Sequence, residues 1–154
     1  GTDRGITVYS SASGSEITNN SALNAYTQSY AAISNQAGST LTSVNNAAGA
    51  TISGLVPIEN NGVITTFTNS GTISSRHWVP SSAIGGSGSI VNLINYGTLR
   101  PASTGSAVSN TVINLANAQG GNAPLTISNQ PTNYSITNPP FNGNHVGLSL
   151  IYMY

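Results

Sequence analysis

The sequence predicts an all-β protein, a parallel β-helix (β-solenoid) of about six coils, with an inserted loop near 74–90 and an irregular C-terminal strand region. Three observations carry that prediction. A short apolar–x–Asn–x–Gly–x–apolar motif recurs along the chain, its copies return at a nearly constant interval, and evenly spaced Ile and Val stand in a chain almost free of charge.

The clearest copy is Phe67-Thr68-Asn69-Ser70-Gly71-Thr72-Ile73, which reads as a strand end, a turn and a new strand. Leu93-Ile94-Asn95-Tyr96-Gly97-Thr98-Leu99 repeats it closely. Weaker copies start at Ile17, Ile33, Val44, Ile58, Leu115 and Ile127. Along Asn19, Asn45, Asn69, Asn95 and Asn117 the steps are 26, 24, 26 and 22 residues, and a second series, Asn35 to Asn60, steps by 25. Two turn motifs per period of this length indicate a solenoid, in which each repeat buries its apolar face only by stacking on its neighbours. Hairpin turns of an antiparallel sandwich, the competing arrangement, recur at about half that interval, roughly every 8–12 residues.

The residue types fit the geometry. Each corner of a coil needs positive φ or a local cap, so Gly71 and Gly97 are expected to supply the first. Asn19, Asn45, Asn69, Asn95 and Asn117 are expected to tolerate the left-handed region, bond their own backbone, or stack into an amide ladder. The flanking Ile, Val and Leu are expected to point inward in columns. Six coils spaced about 4.8 Å apart would make a rod roughly 30 Å long.

Composition narrows the function classes. Ser, Asn and Thr number 23, 20 and 17 of 154 residues, whereas Lys is absent and charged residues make up 4%. Disordered chains are poor in β-branched residues and rich in charge; this one has 14 Ile and 9 Val, which favours packed β-structure. A formal net charge of zero removes the long-range repulsion between copies and makes self-association a physical expectation. No basic groove supports nucleic-acid binding, and no apolar run approaches the roughly 18 residues of a membrane helix. The absence of cysteine excludes disulfides and thiolate metal sites. The chain opens on Gly1 with no signal peptide, which fits a processed or excised piece whose export signal was removed.

Taken in order, the chain reads as one domain, 1–154. Residues 1–16 hold a strand, Ile6-Thr7-Val8-Tyr9, and a Ser/Gly connector; 17–136 hold the coils; 137–154 form the C-terminal strand region. Arg76-His77-Trp78-Val79-Pro80 and the Gly85-Gly86-Ser87-Gly88 run read as a loop pushed out of one coil, the glycine run as a flexible connector. Pro131, Pro139 and Pro140 suit no central strand. The end alternates Val146, Leu148, Leu150, Tyr152 and Tyr154 on one face, as a final strand.

The Ile-x-Asn-x-Gly-x-Ile style of residues 17–136, clearest at Phe67–Ile73 and Leu93–Leu99, resembles the passenger regions of bacterial autotransporters and related β-solenoid surface adhesins. The resemblance implies export, a right-handed parallel β-helix and a role on or outside the cell. The shared positions are structural, so it carries over no functional residue, and the chain has no translocator barrel.

The search for chemistry finds little. Asp3, Glu16 and Glu59 are the entire supply of acids, and nothing in their spacing motivates a catalytic pair. This weakens a third reading, a polysaccharide-active β-helix enzyme resembling pectate lyases. His77 and His145 read as loop histidines rather than metal ligands, and no serine triad has a basis. Asn19-Asn20-Ser21 and Asn133-Tyr134-Ser135 match the N-glycosylation pattern. An ice-binding face needs threonines in register across coils; Thr65, Thr66, Thr68 and Thr72 are grouped only locally. Neither a catalytic residue, nor a metal ligand, nor a cofactor is expected.

The leading expectation is a non-catalytic extracellular structural protein that polymerises with copies of itself into a filament or surface layer. The assembly candidates are Ile6 and Val8 in the first strand and Val146, Leu148, Leu150, Tyr152 and Tyr154 in the last, joined by strand donation or end-to-end stacking. The alternative is a cell-surface adhesin fragment whose rod is a spacer and whose Arg76, His77 and Trp78 contact a glycan or a neighbouring surface.

Overall fold

A computed structural model of the chain describes residues 5–25, 31–76, 81–101, 111–115, 126–129 and 148–151. The first coil contains β1 (Ile6–Val8), β2 (Ser13–Asn19) and β3 (Ala22–Asn24), and the second β4 (Ile33–Asn35), β5 (Thr40–Asn46) and β6 (Thr51–Gly54). The third contains β7 (Ile58–Asn60), β8 (Val63–Asn69) and β9 (Thr72–Ser75), and the fourth β10 (Ile84–Gly86), β11 (Ser89–Asn95) and β12 (Thr98–Arg100). Three further strands follow: β13 (Thr111–Leu115), β14 (Thr126–Asn129) and β15 (Leu148–Ile151).

Through β14, every third strand falls in the same sheet. Sheet one runs β1-β4-β7-β10-β13-β15, sheet two β2-β5-β8-β11-β14, and sheet three β3-β6-β9-β12. All neighbours are parallel except β13 and β15. Parallel pairing of strands a full period apart establishes the β-solenoid and rules out hairpins for the described coils. Three complete turns separate β1 from β10. The described strands thus form four triplets plus β13 and β14, fewer than the six coils expected.

The coils are stapled by apolar columns. Ile6, Ile33, Ile58, Ile84 and Ile113 face one another along sheet one. Sheet two carries Ile17-Val44-Phe67-Leu93 and Leu41-Ile64-Ile90, and sheet three Leu23-Ile52-Ile73-Leu99. The middle members are buried and the flanking Ile6, Leu23 and Leu99 only partly so, as stacking requires. Each fully buried Ile or Phe contributes about 1.5–3 kcal/mol relative to exposure. Register also settles the threonines. Thr72 lies between Thr51 and Thr98 in one column, but Thr66 lies between Ser43 and Asn92, and Thr68 between Asn45 and Ile94.

The expected loop near 74–90 is not one loop. Ser74 and Ser75 end β9, Ile84–Gly86 is β10, and Ser89 opens β11. The Gly85–Gly88 run is therefore a strand and its corner rather than a flexible connector. The Arg76 amide still donates to the Gly54 carbonyl at 2.9 Å, one residue past β9.

Candidate functional site: corner ladders and sheet edges

The corner between sheets two and three is built on asparagine. Asn19 Nδ2 donates to Asn46 Oδ1, Asn46 Nδ2 to Asn69 Oδ1, and Asn69 Nδ2 to Asn95 Oδ1, each at 2.8 Å. The same nitrogens also reach carbonyls one coil on: Asn19 to Thr51 at 3.2 Å and Asn69 to Thr98 at 3.2 Å. An amide suits this position because it carries both a donor and an acceptor, so one residue type can repeat indefinitely along a column. A second ladder, at the corner between sheets one and two, links Asn35 Nδ2 to Asn60 Oδ1 at 2.7 Å. Gly86 follows Asn60 there, and Val8 precedes Asn35.

Two sequence expectations need correction. Asn46, not Asn45, belongs to the ladder: Asn46 is fully buried, whereas Asn45 pairs with Thr18 and Thr68 and is half-exposed. A shift of one residue turns a strand side chain to the opposite face, so the two neighbours have opposite roles. Asn69 and Asn95 hold the places expected of them, Asn19 begins the series, and Asn129, in β14, faces Asn95 in register. Asn117 lies outside the described residues.

The corners also turn by a different means from the one expected. Among the described residues, positive φ occurs only at Gly14, Gly38, Gly49 and Gly86, so no ladder asparagine uses the left-handed region. Gly71 and Gly97 are required for a different reason, close approach. A Cβ at Gly71 would sit 2.2 Å from the Ala50 carbonyl oxygen, and one at Gly97 would sit 2.0 Å from that of Gly71. Sequence spacing identified these glycines but attached the wrong cause to them.

The described assembly candidates, Ile6, Val8, Leu148 and Leu150, occupy the two edges of a single sheet. Ile6 and Val8 lie in β1, the first strand of sheet one, with Ile6 half-buried and Val8 buried. Leu148 and Leu150 lie in β15, the last strand, opposite Leu115 and Ile113 of β13. Val146, Tyr152 and Tyr154 lie outside the described residues. β15 folds back antiparallel onto the chain's own β13. The N-terminal end is not uniform: β2 is polar, its first four residues are exposed, its register slips at Ser13–Glu16, and Gly14 has φ 73°. A bulge plus the charge of Glu16 blunts that edge.

The remaining candidates scatter. Arg76 is exposed at the end of sheet three; His77 and Trp78 lie outside the described residues. Glu16 is in sheet two and Glu59 in sheet one, so the fold does not bring the two acids together. Glu59 Oε2 instead accepts from Ser34 Oγ at 2.9 Å, and that hydroxyl accepts from Gln36 Nε2 at 2.7 Å. Among the described residues no three His, Asp or Glu side chains gather to hold a metal ion, and no helix is long and apolar enough to cross a membrane. Sequence reasoning placed Gly62 in a motif copy and Gly88 in the glycine run without assigning either a close approach, though a Cβ there would lie 2.5 and 2.1 Å from a carbonyl oxygen, and it did not single out the exposed Tyr9 and Tyr96.

The chain matches no protein-family model, no curated protein and no solved structure.

Proposed function

We propose that the chain is a non-catalytic extracellular structural protein, of bacterial surface type, that polymerises through its two ends into a filament or layer. The observation that supports this reading is the strand order of sheet one. The two apolar terminal segments singled out in the sequence are its two edge strands, β1 at one end and β15 at the other. A sheet with two regular edges of different composition invites a heterologous contact, which does not close on itself and therefore propagates. Because β15 is already paired with β13, edge-to-edge joining of β15 to the β1 of a second copy fits better than donation of a free strand. The blunted β2 edge disfavours pairing along sheet two. Zero net charge leaves no long-range repulsion to oppose edge-to-edge joining. Export agrees with the resemblance of residues 17–136 to autotransporter passengers.

The test is negative-stain electron microscopy and light scattering of the purified chain over rising concentration. Uniform filaments that disappear on Leu148→Asp/Leu150→Asp substitution support the reading; a monomer at every concentration sinks it.

A second reading, display of an adhesive edge, draws on one further observation. The connections from sheet three to sheet one, 25–32, 55–57, 76–83 and 101–110, vary in length, while through β12 the other two corners span two to four residues; the later connection from β13 to β14, 116–125, is long as well. Arg76 opens one of those connections, and in the sequence Tyr26 and Tyr30 follow β3 while His77 and Trp78 follow β9, all four outside the described residues. Glycan-array binding that is lost in Trp78→Ala, with assembly intact, would favour the adhesin.

A further inference from the structure

We infer that Asn61–Gly62 is a self-modifying site, at which the Gly62 backbone nitrogen attacks the Asn61 side-chain amide and converts this neutral corner to a carboxylate. Three independent features of the corner between β7 and β8 converge on it.

The first is that glycine is compulsory at 62. A Cβ there would lie 2.5 Å from the Ser39 carbonyl oxygen and 2.6 Å from that of Gln36, so coil stacking keeps glycine directly after Asn61. Gly62 is buried between coils beside the half-exposed Asn61, and it has no side chain of its own to separate its nitrogen from the Asn61 amide. The second is the state of that nitrogen. In the next coil the equivalent Gly88 amide donates to the Asn60 carbonyl at 2.8 Å, and at the other corner Gly97 donates to Asn69 at 3.0 Å. Among the described residues the Gly62 amide makes no such bond; its neighbours Asn61 and Val63 donate to the Asn35 and Ser39 carbonyls instead. The nucleophile is uncommitted.

The third feature is the electrophile. Asn61 Oδ1 accepts two hydrogen bonds from one residue of the next coil, the Ser87 backbone N–H and the Ser87 hydroxyl, both at 3.0 Å. Two fixed donors on a carbonyl oxygen polarise its carbon and stabilise the oxyanion that forms when a nucleophile adds. Asn61 stands apart from the ladder residues in this respect. Asn35, Asn46 and Asn69 are fully or almost fully buried with their nitrogens engaged, whereas the bonds of Asn61 are at the exposed surface.

The step balances with water as the one co-reactant. Hydroxide removes the Gly62 N–H proton, and the nitrogen lone pair forms a bond to Asn61 Cγ. The oxyanion collapses and expels Nδ2, which leaves as ammonia after taking a proton from water, and a succinimide ring remains. Water then opens the ring at either carbonyl, giving aspartate or its iso-linked form. Overall one NH is exchanged for one O, and the net charge of the chain moves from zero to −1 at neutral pH. The aspartate product keeps both Ser87 donors, now as charge-assisted bonds, so the coil retains its corner. Both products give the rod a negative charge with age; the aspartate form keeps the corner, whereas the iso-linked form lengthens the backbone there by one atom. This inference does not depend on the assembly reading.

The experiment follows Asn, Asp and iso-Asp at position 61 by peptide-mapping mass spectrometry of the full chain held in mildly alkaline buffer, folded and in urea. Ser87→Ala and Ser87→Thr are run alongside. The expected result is modification at 61 in the folded chain that rises with pH and slows about tenfold in Ser87→Ala, the rate equivalent of one ordinary hydrogen bond. Ser87→Thr, which keeps the hydroxyl, should restore the rate, and in urea all three chains should react alike. An Asn61 that stays intact in the folded chain and reacts only in urea overturns the inference. So does a folded-state rate equal in wild type and both variants.

Discussion

Replacing Asn46 by alanine tests the ladder directly, because its neighbour Asn45 provides a control of identical chemistry. Asn46 is fully buried, accepts from Asn19 Nδ2 at 2.8 Å and donates to Asn69 Oδ1 at 2.8 Å. It also makes long contacts to the Thr72 and Ala50 carbonyls at 3.4 and 3.5 Å. Asn46→Ala removes both short bonds, each worth about 1 kcal/mol net. Asn19 Nδ2 keeps the Ser21 and Thr51 carbonyls and stays satisfied. Asn69 Oδ1 loses its donor in a buried site, at a cost of about 1–3 kcal/mol. The Ala50 and Thr72 contacts are too long to add much. The sum is about 3–5 kcal/mol, a large part of the roughly 5–15 kcal/mol available to a domain of this size. Asn45→Ala, on the outward face, should cost no more than about 0.5 kcal/mol. Urea unfolding followed by far-UV circular dichroism reads both: the Asn46 variant's midpoint should fall steeply and the Asn45 variant's should barely move. Equal losses, or a larger one at Asn45, would falsify the register on which the ladder rests.

Other perturbations probe the column, the corners and the acid. Phe67→Ala empties the centre of the sheet-two column, where the ring is fully buried, and should cost about 3–5 kcal/mol in the same unfolding assay. Gly71→Ala places a methyl 2.2 Å from the Ala50 carbonyl and forces two coils apart, whereas Gly49→Ala meets nothing within 4 Å and carries only the strain of φ 78°. The first should lower the midpoint well beyond the second, whose cost is about 1–2 kcal/mol. Glu59→Gln keeps an acceptor for Ser34 Oγ and should leave stability within about 0.5 kcal/mol; loss of any polysaccharide-cleaving activity in that variant would instead support the enzyme reading.

How much of this molecule is legible in its sequence depends on which physical rule writes each feature. A coil that buries its apolar residues only against the next coil must repeat them, so the period, the inward Ile and Val columns and the corner motifs appear as repetition. The Asn35–Asn60 ladder is visible for that reason, and so are the places of Asn69, Gly71, Asn95 and Gly97. Side-chain direction in a strand alternates with every residue, and a periodicity measured to within a residue cannot choose between Asn45 and Asn46; pairing Val44 with Phe67 and Ile17 makes the choice. Nor does a glycine's letter tell whether it serves a left-handed turn or a close approach. That is decided by the carbonyl of the coil beneath, which the neighbouring chain segment supplies. The Gly85–Gly88 run reads as a loop for the same reason: without the coil beside it, a strand made thin for stacking resembles a connector.

The sequence alone thus determined the solenoid, its chemistry of corners and columns, and the two apolar terminal segments, since all of these are local patterns repeated by stacking. The tertiary structure alone decided that the two segments are opposite edges of one sheet, that the last strand turns back antiparallel on β13, and that Ser87 meets Asn61. Those facts join residues far apart in the chain, and only the register between coils, fixed by packing, brings them together.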